Sequence, residues 1–212
     1  QDTTRMSLHG GVINGPKNPQ IVFKSSFAGE IRNDDAELTL RYENAKGETG
    51  VLFGVNVRPL VEGNGKGDGL AFTLIPENPI IAFRKFHFVD HHNWIYLHKN
   101  MRLYANVDMA DDEDMGFRIK SNRSDTVSLQ NIDVQRIRLS EISEVLPYLP
   151  DLSGLFSAEA NYVQTATSLQ VSAEANIDEL TYERQRIGDV ALGVTWLPGE
   201  RGKHYISTYL TH

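Results

Sequence analysis

Leu169-Gln-Val-Ser-Ala-Glu-Ala-Asn-Ile177 is the stretch that decides the fold. Leu169, Val171, Ala173, Ala175 and Ile177 alternate with Gln170, Ser172, Glu174 and Asn176, the two-residue period of a strand with one buried face. The next apolar positions, Leu180 and Tyr182, break that period by one residue. A β-bulge at Asp178-Glu179 is therefore expected, returning the later side chains to the original face. A turn over Glu183 to Arg186 leads to a second alternation, Val190, Leu192, Val194 and Trp196, ended by Pro198-Gly199. Strict alternation puts those four side chains on one face and Asp189, Ala191, Gly193 and Thr195 on the other. Upstream, Leu139-Ser-Glu-Ile-Ser-Glu-Val-Leu-Pro-Tyr-Leu-Pro150 predicts a short helix over 140–149, capped by Ser140 and stopped by Pro150.

The same period runs outward through the rest of the chain. Strands are expected from Arg5 to Ile13 and from Gln20 to Ala28, separated by the turn-rich Asn14 to Pro19. Further alternations are Leu38-Leu40-Tyr42, Val51 to Val57, Leu70 to Leu74, Trp94-Tyr96, Met101 to Met109 and Phe117-Ile119. One-residue slips recur from Ile81 to Phe88 and from Leu129 to Leu139. They read as bulges, either at bends of a β-sandwich or in a long sheet that kinks at intervals. At least ten strand candidates and a single short helix make an all-β fold with a curved, mainly antiparallel sheet.

The chain has 212 residues, enough for one large domain, with a possible subdivision near 139–151. Its 21 basic against 28 acidic residues give a net charge of -7, which argues against a nucleic-acid partner. The absence of cysteine removes disulfides, zinc-thiolate sites and cysteine nucleophiles, and suits an envelope protein as well as a cytosolic one. No apolar run approaches the roughly 20 residues of a membrane-spanning helix. The start shows no signal-peptide core and the end, Ile206 to His212, reads as the middle of a strand, so a piece of a longer chain is expected.

Four clusters invite a chemical reading, and each has a plainer one. Glu62 to Gly69 is rich in glycine and holds Lys66, but a strand follows it where a phosphate cradle needs a helix N-terminus. His87, His91, His92 and His98 with Asp90 resemble imidazole and carboxylate metal ligands, yet they flank a turn and no second cluster completes a shell. Asp108, Asp111, Asp112, Glu113 and Asp114 lack the glycine and the distant glutamate of a calcium loop, and read as an acidic hairpin tip. Glu30, Asp34, Asp35 and Glu37 supply carboxylates for sugar hydrolysis, but fall in an expected turn over 31–36. No catalytic residue, metal site or cofactor is therefore assigned, and a non-enzyme is expected.

Several pieces in a fixed order resemble the TamB family of translocation and assembly module proteins, within the AsmA-like group. They are Leu129-Gln-Asn-Ile-Asp-Val134, Leu152-Ser-Gly-Leu-Phe156 after the short helix, and Ile177-Asp-Glu-Leu-Thr-Tyr182 leading to Ile187-Gly-Asp-Val-Ala-Leu192. The resemblance implies a β-taco, a sheet folded lengthwise into an open trough with an apolar inner face. It implies a periplasmic segment of an envelope-spanning protein that carries phospholipid acyl chains between the two membranes. It further implies an inner-membrane anchor outside this chain and an outer-membrane BamA-like barrel partner, with a role in outer-membrane protein assembly. The expected groove lining is Leu103, Val107, Leu169, Val171, Leu180, Tyr182, Val190, Leu192, Val194 and Trp196. The competing expectation is a glycan-binding β-sandwich that presents Trp94, Tyr96 and Trp196 outward.

Overall fold

The computed structural model describes residues 3–9, 13–14, 22–61, 67–123, 128–145, 149–165, 167–199 and 203–212. In chain order these form β1 (Thr3–His9), β2 (Ile13–Asn14), β3 (Val22–Arg32), β4 (Asp35–Glu43), β5 (Thr49–Val61), β6 (Gly67–Ile81), β7 (Arg84–Lys85) and β8 (His87–Phe88). They continue with β9 (Trp94–His98), β10 (Leu103–Ala110), β11 (Gly116–Arg123), β12 (Ser128–Arg138), α1 (Leu139–Val145), β13 (Leu152–Gln164), β14 (Leu169–Tyr182), β15 (Gln185–Pro198) and β16 (His204–Thr211). The strands follow one antiparallel path, β1-β3-β4-β5-β6-β9-β10-β11-β12-β13-β14-β15-β16, with β2, β7 and β8 paired at its side. The result is one open, curved sheet with β1 and β16 as its edges. It is not the pair of packed sheets that a β-sandwich requires. On either side of α1 the path runs directly from β12 to β13.

Hairpin chemistry explains how so long a path stays in register. Glu183 and Arg184 both have left-handed φ, 47° and 69°, in a two-residue turn between Tyr182 and Gln185. The turn expected over 31–36 is likewise tighter than the charge pattern suggests: β3 runs to Arg32, β4 starts at Asp35, and Asn33 takes φ 52°. Glu30 and Glu37 are thus strand residues, directly opposite each other. The slip from Ile81 to Phe88 is a reversal rather than a bulge, because Ala82 and Phe83 take φ 51° and 64° and fold β7 back on β6.

The other slips are bulges where the periodicity places them. β12 shifts register between Val134 and Ile137, and β14 shifts between Ile177 and Leu180. The β14 bulge also shifts the pairing with β13, where Gly154 alone stands opposite Glu179 and Leu180, between Ser153 and Leu155. Leu129 is the exception on β12, since its pairing with Val163 runs in unbroken register to Val134 and sets it on the face opposite Ile132.

Helix α1 is described from Leu139 to Val145; 146–148 lie outside the described residues, and Leu149, the expected last residue, is not helical. The helix begins one residue before Ser140, so Ser140 lies within it and is not its N-cap.

Candidate functional site

Cross-strand register sorts the whole sheet into two chemically distinct faces. Directly opposed residues share a face, so Met109, Phe117, Val134, Ala158, Ala175, Leu192 and Leu210 form one row from β10 to β16. One residue away, Asp108, Arg118, Asp133, Glu159, Glu174, Gly193 and Tyr209 form the next row on the opposite side. On the other half of the sheet Met6, Gly29, Leu38, Val55 and Leu74 continue the apolar face. The β12 bulge preserves it, since its extra residue lets Ile137 join Phe156, Ile177 and Val190 in a further apolar row.

This face is covered in its middle and bare towards β16. Val107 is 0% exposed and lies with Met109 in a cluster with Phe86, Phe88 and Met115, against which Leu74, Ile95, Phe117 and Ile137 pack. The segment returning from β6 to β9 thus fills the apolar face with the chain's own side chains. Towards β16 nothing similar is laid down: Leu192 is 45% exposed, Ile206 67% and Leu210 72%. Between these regions Ala158, Ala160, Ala173 and Ala175 face one another across β13 and β14, a low floor beside Ile132 and Val134 on one side and Leu192 and Val194 on the other.

The expected lining residues divide accordingly. Val171, Val190, Leu192, Val194 and Trp196 share the apolar face, and Leu169 joins it by parity with Val171. Leu180 and Tyr182 lie beyond the bulge, opposite in sense to Thr181, which lines a polar depression with Asp178 and Glu179. Leu103 and Val107 share the same face on β10, but Val107 is sealed inside the core, where a ligand has no access. Periodicity missed this because it reports which face a residue takes and not what covers that face. The alanine floor was visible as alternation, yet small side chains carry little apolar signal. Gly193 is on the polar side and buried, because the Tyr209 ring of β16 lies over it, 2.1 Å from where a Cβ would stand.

The aromatic residues of the glycan reading separate. Trp94 and Tyr96 stack on each other at 4.4 Å on the face away from Ile95, whereas Trp196 stacks on His204 at 5.1 Å on the apolar face. They do not form one platform.

Of the four charged or histidine clusters, the three that lie within the described residues are absorbed locally. Glu62 to Lys66 lie outside the described residues, and Gly67–Gly69 begin β6. His98 pairs with Asp68, His91 lies 3.5 Å from Glu77, Asp90 accepts the His92 backbone N–H, and His87 pairs with Ala110. Among the described residues no three His, Asp or Glu side chains gather where they could hold a metal ion. Glu30 accepts hydrogen bonds from Arg32 at 2.7 Å and Arg5 at 3.3 Å, and the Arg32 contact foremost holds its carboxyl below the ordinary value.

The acidic hairpin tip divides between two ion-pair sites. Asp108 meets Arg118 at 3.0 Å and Lys120 at 3.1 Å on the polar face. Asp111 accepts the backbone N–H groups of Glu113 and Met115, closing the β10–β11 turn, and receives Arg84 at 2.9 Å. Arg84 also reaches Glu113 at 3.3 Å and Glu141 of α1 at 2.5 Å. Burial alone would raise the Asp111 carboxyl, but those backbone donors and Arg84 outweigh it and hold the group below its ordinary value. A folded-state value below the unfolded one means that Asp111 contributes stability above the usual carboxylate range. That contribution is lost as pH falls through the lower folded value. The thermal midpoint of Asp111→Asn is thus expected well below wild type at pH 7, the gap closing as pH falls below the ordinary carboxylate value of 3.8. Parallel melting curves of the two proteins over that range provide the check, and a constant gap would contradict the assignment.

No protein-family model matches the chain, and no curated protein or solved structure matches it either. Among the described residues no helix is long and apolar enough to cross a membrane.

Proposed function

We propose that this chain is a non-catalytic segment of a lipid conduit, in which the apolar face of the curved sheet forms a trough for phospholipid acyl chains. The observation that carries the reading is the register, which gathers apolar side chains of consecutive strands on one face, half-buried over β13 and β14 and exposed at Leu192, Ile206 and Leu210 towards β16. A soluble protein rarely leaves more than a few hundred Å² of contiguous apolar surface in water. Acyl chains suit an elongated groove floored by alanine. Ten CH2 groups withdrawn from water contribute about 8 kcal/mol, about a micromolar dissociation constant before the costs of association.

The likeness of the 129–192 pieces to the TamB family supports the wider setting. In that setting the segment belongs to a periplasmic protein anchored in the inner membrane, works with an outer-membrane BamA-like barrel, and serves phospholipid transfer or outer-membrane protein assembly.

Native mass spectrometry of the gently purified protein is expected to find co-purified phospholipid. Photo-crosslinking groups at Leu192 and Ala191 then test the face: lipid adducts are expected at Leu192 and none at Ala191. Leu192→Asp should abolish the bound lipid, because it sets a carboxylate in the acyl path, whereas Ala191→Asp should leave it in place. Equal labelling at both positions, or a stoichiometric glycan in place of lipid, would refute the proposal.

A further inference from the structure

One feature of the ion-pair network is unexplained by a passive trough. Helix α1 has seven residues, fewer than the roughly 12 an isolated helix needs, and none of them is fully buried. It leaves β12 at Arg138 and packs against β13, and Glu144 shares a surface depression with Asn44, Glu48, Thr49 and Phe83 at the β4–β5 turn. The helix therefore reaches from one side of the curved sheet towards the other, across the end that holds the β10–β11 turn.

Besides its packing against β13, its tie to the Arg84 side of the sheet is one side chain. Glu141 accepts Arg84 Nε at 2.5 Å and Arg138 Nη1 at 3.4 Å. Arg84 is itself fixed from behind by Asp111, whose side chain is 3% exposed. The anchor is rigid and preassembled, whereas the helix offers a single carboxylate to it.

We propose that α1 is a movable strap, latched by Glu141 to the Arg84 anchor, that closes this end of the apolar face and opens to admit an apolar ligand past Phe83 and Ile137. Its ligand rests on the lipid reading above; its movement does not. A charge latch of this kind weakens as salt screens it, while the apolar core around Phe86 and Val107 stays closed.

The absence of cysteine allows clean spin labelling, and Lys46→Cys with Glu144→Cys places labels at exposed positions on the two sides of that end. Electron–electron distance measurement should give one short distance in the labelled parent. Glu141→Gln should add a population longer by at least about 5 Å, the rise of one helical turn, and 1 M salt should do so in part. Glu159→Gln, on the polar face, should change nothing. If circular dichroism shows that Glu141→Gln is unfolded, Glu141→Asp keeps the charge, loses the reach to Arg84, and is expected to act in the same direction. One unchanged distance in the folded latch variant, at both salt levels, would overturn the strap. Native mass spectrometry of the same samples separates the two ideas: opening without lipid in any sample keeps the strap and rejects the lipid, and lipid beside a motionless helix does the reverse.

Discussion

Phe86→Ala is expected to lower the free energy of unfolding by about 3–5 kcal/mol, the range for a large aromatic removed from a packed core. Phe86 is 2% exposed and packs with Phe88, Val107, Met109 and Met115 over the middle of the apolar face. Truncation leaves a cavity that a sheet held by hydrogen-bonded ladders on both sides cannot close. Leu192→Ala removes three carbon atoms against six, and should cost less than about 1 kcal/mol, well under half the Phe86 loss, because Leu192 is already 45% in water. Urea unfolding followed by circular dichroism gives both numbers. Equal costs would mean that the segment from Ala82 to Val89 does not seal the face, and the division between a filled middle and an open flank would fail.

The second large effect is a backbone one. Gly154→Ala should destabilise by about 2–3 kcal/mol, about 6–10 °C in thermal midpoint for a chain of this size. Gly154 stands on β13 opposite the β14 bulge at φ 132°, a conformation that L side chains rarely adopt. An added Cβ would stand 2.9 Å from the Asp178 carbonyl oxygen and 3.3 Å from the Leu180 Cα, in the neighbouring β14 bulge. The Gly154 backbone and the β14 bulge interlock, and of the nearest atoms only the Ile177 Cγ2, at 3.0 Å, belongs to a side chain. Gly47→Ala makes the comparison: its φ of 81° carries the same kind of backbone penalty, but nothing lies within 4 Å. A smaller loss is expected there, and equal losses would show that the interlock adds nothing.

Much of the sheet was legible because a two-residue period is a local property. Leu169 to Ile177 and Val190 to Trp196 read as strands with one apolar face, and the register gathers those residues on one side. The bulge at Asp178-Glu179 was legible for the same reason, since an extra residue shifts the apolar phase.

The candidate site was legible only as a face. The histidine and acidic clusters looked alike as strings of ligands. In the fold they scatter, because adjacent strand residues point to opposite sides and turns separate the rest.

By itself the sequence determined the all-β class, the antiparallel succession of strands and the apolar face of most of them. All of these follow from nearest-neighbour geometry along one chain. Only the tertiary structure decided that one path of strands replaces two packed sheets and that Val107 is core whereas Leu192 meets solvent. It likewise decided that Arg84, Asp111 and Glu141 meet. Those outcomes depend on which segments fold over which face, and side-chain alternation carries no information about that.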